Sequence, residues 1–236
     1  LLTENEIPMV NEKLSCLLCK NKSSCFEKLS DDELEFVNEN RVEIKFKKGE
    51  IICKQGSLAS NIMYLKTGLA KLYFEKNRQK NLILRIITDG SMFGLPSINN
   101  NILYYSAMTY EDSQVCMIDI DVFKKVMNTN PKFASEVVNI VNENTIQGYE
   151  RMFCLTQNHL SGRMANIILC ISDNIYKKDE FDLQLNRKDI AELTNMSVES
   201  VTRILKTFKD DNHIEIDGKH LKIISRANLE NICEFG

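Results

Sequence analysis

Three cysteines fall within ten residues near the start of the chain, Cys16-Leu17-Leu18-Cys19 and then Cys25. The C-x2-C-x5-C spacing brings three thiolates together on a short loop, a set that suits a soft metal ion or an iron–sulfur cluster. Eight cysteines could also make a disulfide framework in a secreted chain. The first residues, Leu1-Leu2-Thr3-Glu4-Asn5-Glu6, carry neither the basic start nor the apolar stretch of a signal peptide. The expectation is therefore a cytoplasmic protein with reduced thiols. With no initiator Met, further residues are expected ahead of Leu1. Cys53, Cys154, Cys170 and Cys233 have apolar neighbours and no partner spacing, and read as small core residues. His159, His213 and His220 are far from the cysteine loop in sequence, and none reads as a ligand.

A second group of residues carries chemistry of another kind. Arg187 to Leu193 reads as a short helix, Thr194-Asn195-Met196 as a tight turn, and Ser197 as the N-cap of a helix running to about Lys209. Within it Val201, Ile204, Leu205 and Phe208 recur at helical spacing and predict a buried stripe. Glu199, Thr202, Arg203 and Lys206 repeat that spacing two residues earlier, about 200° round the helix. One face packs and the other carries hydrogen-bonding groups. Arg can donate two bonds to guanine O6 and N7, and Glu can accept from cytosine N4. Glu199 and Arg203 stand one turn apart and can brace each other when no DNA is present.

The alternative for these residues is an ordinary salt-bridged surface helix. Ile214 to Ile223 argues against it, reading as a hairpin with an Asp217-Gly218 turn and Lys219 at its tip for a phosphate. Helix, turn, helix and hairpin in this order make a winged helix-turn-helix. Glu199, Thr202 and Arg203 are then the expected base readers, with Arg187, Ser197, Ser200, Lys206 and Lys219 on the DNA backbone. Charge adds nothing: the formal net charge is −3, so the case rests on the motif.

These residues need elements to position them. A helix is expected from Asp31 to Asn40, and Val42 to Lys47 alternates as a half-buried strand. Short strands follow around Ile51–Cys53, Ile62–Lys66, Leu69–Phe74, Leu82–Ile87, Ala107–Tyr110 and Val115–Ile118. Glycines 49, 56, 68, 90 and 94 punctuate them. That pattern predicts a β-roll or jelly-roll barrel. No apolar run approaches the roughly 18 residues that a membrane span needs.

Asn130-Pro131 then opens a long helix. Along it Val138, Val141, Thr145, Gly148, Met152 and Leu155 alternate in steps of three and four, a heptad seam for pairing with a second copy. Thr145 and Gly148 weaken its middle, so the dimer would be marginal and switchable. The alternative is a helix packed on its own barrel. Leu160-Ser161-Gly162 marks a break before a second helix, Arg163 to Ser172. Asp173 to Asp182 is the longest expected loop of this half, and the linker lies near residues 156–162.

Taken together, these segments resemble the CRP/FNR superfamily of bacterial transcription regulators over nearly the whole length. The run Val198-Glu199-Ser200-Val201-Thr202-Arg203-Ile204-Leu205 is similar to the recognition-helix signature V-E-T-I-S-R-L-L of FNR. The CRP pattern, R-E-T-V-G-R-I-L, has an arginine where Val198 stands, so the resemblance implies a half-site like TTGA rather than TGTGA. FNR proteins hold a 4Fe–4S cluster, an oxygen sensor, through an N-terminal C-x2-C-x5-C loop and a fourth cysteine late in the barrel. Cys16, Cys19 and Cys25 match the loop, and Val115-Cys116-Met117-Ile118 matches the fourth position. The cyclic-AMP motif of CRP falls on Phe93 to Ser97 and Tyr105-Ser106-Ala107. Its acid and its arginine are both absent, so cyclic nucleotide is not expected.

The resemblance implies an α+β chain that is a DNA-binding regulator and not an enzyme. Its parts would be a cysteine-rich cluster loop (1–30), a Gly-punctuated β-roll (31–129), a dimerisation helix (130–157) and a winged helix-turn-helix (158–236). The expected partners are a palindromic double-stranded DNA, RNA polymerase and a second copy of the chain, with no membrane. Two rivals stand beside it. The same four thiolates could hold structural zinc or act as a thiol-redox site, with another effector. A chain of another class would be an iron–sulfur electron carrier.

Overall fold

The computed structural model describes residues 16–19, 21–76 and 80–235. The Gly-punctuated half supplies β1 (Arg41–Phe46), β2 (Ile51–Cys53), β3 (Asn61–Thr67), β4 (Ala70–Lys76), β5 (Lys80–Ile87), β6 (Ser91–Phe93), β7 (Ser106–Thr109) and β8 (Ser113–Asp119). They form two four-stranded sheets, ordered β1-β8-β3-β6 and β2-β7-β4-β5. Every pairing is antiparallel, as a β-roll requires. Ile62, Leu65, Phe93, Val115 and Ile118 are buried in the roll's core. All five glycines of this half have positive φ, which suits the sharp turns. Gly68 is the most constrained, because a Cβ there would overlap Ser113.

Three helices flank the roll. A capping box opens α1 (Asp31–Glu39), in which Ser30 Oγ accepts from the Glu33 N–H and the Glu33 carboxylate accepts from the Ser30 N–H. Asp119 both ends β8 and caps α2 (Ile120–Thr129). Neither α2 nor β6 was expected from sequence; strand runs into helix at Asp119 with no Gly or Pro between them. Asn130 Oδ1 accepts from the Phe133 N–H at 3.0 Å and starts α3 (Pro131–Gln157). At 1.5 Å per residue this helix is about 40 Å long. Phe133 and Val137 are buried against the roll, whereas Val138, Val141, Thr145, Gly148 and Met152 face solvent. The start of the helix thus packs on its own barrel, and the heptad positions from Val138 to Met152 are left exposed.

The remaining elements are α4 (Leu160–Ile171), a π-helical turn (Ser172–Tyr176), β9 (Glu180–Asp182), α5 (Arg187–Thr194), α6 (Val198–Asp210), β10 (Ile214–Asp217), β11 (His220–Ile223) and α7 (Arg226–Phe235). Several expectations need correction. The chain breaks at Asn158-His159, where both residues are extended, and Leu160 to Gly162 already form the first turn of α4. The stretch Asp173 to Asp182 is not a plain loop. Arg226 of α7 pairs with Asp173 at 2.9 Å and Asp179 at 2.5 Å, and the stretch ends in β9, which pairs with β11. The wing turn is Gly218-Lys219, since Asp217 and His220 are the last paired residues, and Gly218 takes the positive φ of +56°. Cys170 is exposed rather than a core residue.

Candidate cysteine pocket and nucleic-acid interface

The cysteine loop folds over one face of the β1-β8-β3 sheet. Cys16 starts a 3-10 turn whose backbone N–H donates to Asn38 Oδ1 of α1 at 3.2 Å. Cys116 lies in β8 with its neighbours Glu43 of β1 and Tyr64 of β3 in register beside it. Between loop and sheet is a cavity of about 380 Å³, lined by Cys16, Cys19 and Cys116 together with Arg41, Tyr64 and Lys66. Cys25 is fully buried next to it, its Sγ 3.5 Å from Ser23 Oγ. Residues far apart in sequence therefore converge on one pocket.

The electrostatics of the pocket are specific. Arg41 donates through Nε to Cys16 Sγ at 3.0 Å and through Nη1 to both Cys116 Sγ at 3.6 Å and Glu43 at 3.2 Å. Lys66 binds both oxygens of Glu43, at 2.9 and 3.0 Å. Burial pushes the Cys16 thiol up, with Arg41 opposing it. Burial also takes Cys25 and Cys116 to about 11 each. These thiols are protonated at neutral pH, so binding a metal centre would release their protons.

Whether the residues suit a metal centre can be judged from the donors. Among the described residues, no three Cys, His, Asp or Glu side chains already stand close enough to share an ion. What the pocket has is soft donors on facing elements, room between them, and a buried Tyr64 hydroxyl without a hydrogen-bond partner among the described residues. Burial first, and then Cys19, Cys116 and Cys25, hold the pKa of that hydroxyl above the ordinary tyrosine range. The donor set fits a thiolate-bound centre.

The reading face is built locally. Ser197 Oγ caps α6 by accepting from the Ser200 N–H at 3.1 Å. Val201, Ile204, Leu205 and Phe208 are buried, while Glu199, Thr202, Arg203 and Lys206 are exposed on the other side. Thr202 Oγ1 donates to Val198 O at 2.8 Å, which leaves its oxygen and methyl outward. The expected brace between Glu199 and Arg203 does not form. Glu199 accepts instead from its own backbone N–H and from Ser197, contacts that lower its pKa. Among the described residues Arg203 has no ion-pair partner, so its donors face outward. Lys219 is exposed at the wing tip, and Arg187 is half-buried at the start of α5.

Two family models match the chain, "Cyclic nucleotide-binding domain" over residues 43–130 and "Crp-like helix-turn-helix domain" over residues 162–232. The chain belongs to the CRP/FNR family of transcription regulators. Similar proteins include Electron transport regulator A of Shewanella oneidensis, 24% identical over 84% of this chain and 80% of that protein. The Fumarate and nitrate reduction regulatory protein of Vibrio cholerae is 23% identical over 86% of this chain and 82% of its own length. Among solved structures, FixK2 of Bradyrhizobium japonicum superposes with a TM-score of 0.75 at 18% identity, covering 81% of this chain and 96% of that one. As a CRP/FNR regulator the chain is a DNA-binding protein and not an enzyme, which removes the electron-carrier rival.

Where the cyclic-AMP motif of the family falls, the side chains bond within the chain. The Gly94 N–H donates to Tyr105 Oη at 2.8 Å, and Ser106 Oγ donates to Glu75 at 2.6 Å. Arg85 is turned to Asn144 of α3. No helix among the described residues is long and apolar enough to cross a membrane.

Sequence reasoning missed the residues that join the two halves. Lys71 of β4 is buried and pairs with Asp189 at 2.7 Å and Glu192 at 3.7 Å, both on α5. Asp189 is also the reciprocal partner in the Asn186 capping box. Arg151 of α3 donates to the Ile83 carbonyl at 2.6 Å and to the Leu193 carbonyl at the end of α5. No local pattern announces such pairs, since Lys71 and Asp189 are 118 residues apart. On α3, exposed Ile146, Tyr149 and Phe153 also widen the apolar stripe beyond the heptad positions. At about 100° per residue, Tyr149 lies near the stripe's centre and Gly148 toward its edge.

Proposed function

We propose that this regulator senses oxygen or redox state through a 4Fe–4S cluster held by Cys16, Cys19, Cys25 and Cys116. Cluster occupancy would control pairing along α3 and binding to a palindromic TTGA-like site. The observation that carries the reading is the convergence of Cys16, Cys19 and Cys116 of β8 around one cavity, with Cys25 buried in the same loop. The names of the relatives, which refer to electron transport and to fumarate and nitrate reduction, agree with it. When bound, such a cluster supplies a centre that molecular oxygen can oxidise.

The chain's own residues supply the coupling. Phe26, just after Cys25, packs on Phe133 of α3 with ring centroids 5.7 Å apart. Asn130, the N-cap of α3, donates to Lys28 O at 3.1 Å and to Glu33 at 2.8 Å. A movement of the loop therefore reaches the start of α3 through direct contacts. The exposed stripe from Val138 through Tyr149 to Met152 would pair with its copy and set two α6 helices at the spacing of a palindrome. Binding of a TTGA-containing palindromic duplex, measured by fluorescence anisotropy with and without oxygen, tests the reading. Affinity should fall on exposure to air, and Cys116→Ser should bind weakly in both conditions. Equal affinity of the unmodified protein in both conditions would overturn oxygen control.

A further inference from the structure

Tyr64 carries a polar group where an apolar ring would pack as well. It lies in the middle of β3, 3% exposed, in register with Cys116 of β8 on one side and Met92 of β6 on the other. Phe26, the residue after Cys25, meets its ring edge-on with centroids 6.0 Å apart. The ring is therefore fixed between the cysteine loop and the sheet, and it is the single tyrosine among the described residues that lines the cavity. Its hydroxyl is buried with no hydrogen-bond partner among those residues, an arrangement that costs free energy. Other tyrosines of the chain are provided for: Tyr105 Oη accepts from the Gly94 N–H at 2.8 Å and Tyr176 Oη from the Gln184 N–H at 3.1 Å. The Tyr110 hydroxyl lacks a close partner too, but the carboxylates of Asp189 and Glu192 are beside it. Around Tyr64 the neighbouring groups are the sulfurs of Cys19, Cys116 and Cys25. The nearby carboxylates are already engaged, Asp89 by the Gly68 N–H and Glu43 by Arg41 and Lys66.

We infer that the Tyr64 hydroxyl is a hydrogen-bond donor to a sulfur of the thiolate-bound centre, a bond completed only when the cysteine pocket is loaded. The inference deepens the proposed reading of the site and rests on it. A thiol sulfur is a weak acceptor, whereas a sulfur that carries charge accepts a short, strong bond. Tyr64 thus lacks a good acceptor in the free chain and gains one with the centre. The bond draws charge from the sulfur, and hydrogen bonds to sulfur are among the features that set the potential of such a centre. The Tyr64 ring also touches Phe26, which packs on Phe133 at the start of α3. The bond therefore forms beside the route by which the loop reaches that helix. Tyr64 is a positioning residue here, not a ligand.

Cobalt(II) chloride titrated anaerobically into the full metal-free chain provides the test, because thiolate-to-cobalt absorption reports the sulfurs directly. Tyr64→Phe keeps the ring and its packing on Phe26 and removes only the donor. Its affinity for cobalt should fall roughly ten- to a hundredfold. Its thiolate-to-cobalt bands should also move to longer wavelength, since a sulfur without the bond gives up charge more readily. A zinc(II) chloride titration reads the same bond from the tyrosine side. The tyrosine absorption of the unmodified chain should shift as the thiolates bind, and the shift should be absent in Tyr64→Phe. Weaker binding with unmoved bands would assign Tyr64 to packing alone and overturn the inference, as would unchanged affinity with unmoved bands. Unmoved tyrosine absorption in the unmodified chain overturns it as well, and decides the matter if Tyr64→Phe does not fold. In each case loss of the thiolate absorption in Cys116→Ser shows that the thiolate reading still stands. An unmodified chain with no thiolate-to-cobalt absorption removes that reading, and the inference with it.

Discussion

The DNA-reading unit and the cysteine pocket are assembled over very different distances along the chain. Between Asn186 and Ile223 the helix caps and the hairpin are closed by near neighbours, with the Asn186 box on α5, the Ser197 cap on α6, and β10 paired with β11 across two residues. The cysteine pocket draws on a loop, on β1, β3 and β8, and on α1, and 75 residues separate Arg41 from Cys116. The reader is therefore built from local contacts, while the pocket depends on the loop, three strands and a helix coming together. A regulator built this way would change where its readers stand, not whether they are folded.

The contact that links the two halves gives the largest expected effect. Lys71→Met would leave Asp189 and Glu192 buried without their cation, a loss of about 3–5 kcal/mol for a broken buried pair. Urea unfolding measures it, and a loss under about 1 kcal/mol would mean that the two halves are not locked in this way.

Arg203→Ala sharpens the local side of the comparison. A base contact is worth about 1–3 kcal/mol, so one to two decades of affinity should be lost together with discrimination at the guanine of TTGA. Lys219→Ala should instead weaken all sequences alike and reduce the salt slope by about one phosphate contact. Binding to a half-site library at two salt concentrations separates these outcomes. An even loss across sequences in Arg203→Ala would move Arg203 to the backbone.

On α3 the change is smaller. A Cβ at Gly148 meets nothing within 4 Å, so Gly148→Ala should stabilise the helix by roughly 0.5–1 kcal/mol. Combined with Thr145→Leu in the apolar stripe, it should make the dimer less dependent on the cysteine pocket. Sedimentation in air decides this, and a variant that stays monomeric would show that α3 is not the switch.

The smallest effect concerns the wing. Asp182, 2.9 Å away, raises the pKa of His220. The pairing contributes fully below the unfolded value of about 6.5 and is lost as pH rises through the raised folded value. Backbone amides of β9 and β11 should therefore exchange more slowly at pH 6 than at pH 8 after correction for intrinsic rates, and Asp182→Asn should reduce the difference, the remainder coming from Glu180 at 3.3 Å.

What could be read from sequence follows the same division. The Val201 to Phe208 stripe, the Ser197 cap and the glycine turns are short-range patterns with a fixed period, and they were legible. The pairing of Cys16 with Cys116 came only from family resemblance, because nothing local to either residue refers to the other. Arg41 opens a strand and reads as a surface charge until the loop folds over it. Tyr64 reads as core, and its unpartnered hydroxyl is visible only in three dimensions. α7 was missed because its packing partner is α4, far upstream.

The most direct test of the central claim is anaerobic purification of the full chain, followed by a visible spectrum and assays of iron and acid-labile sulfide. The account predicts a brown protein with iron and sulfide in equal amounts, whose colour is lost in air. The colour should also be lost in the Ser variants at Cys16, Cys19, Cys25 and Cys116, but not at Cys53 or Cys170. A colourless anaerobic protein carrying stoichiometric zinc would contradict it.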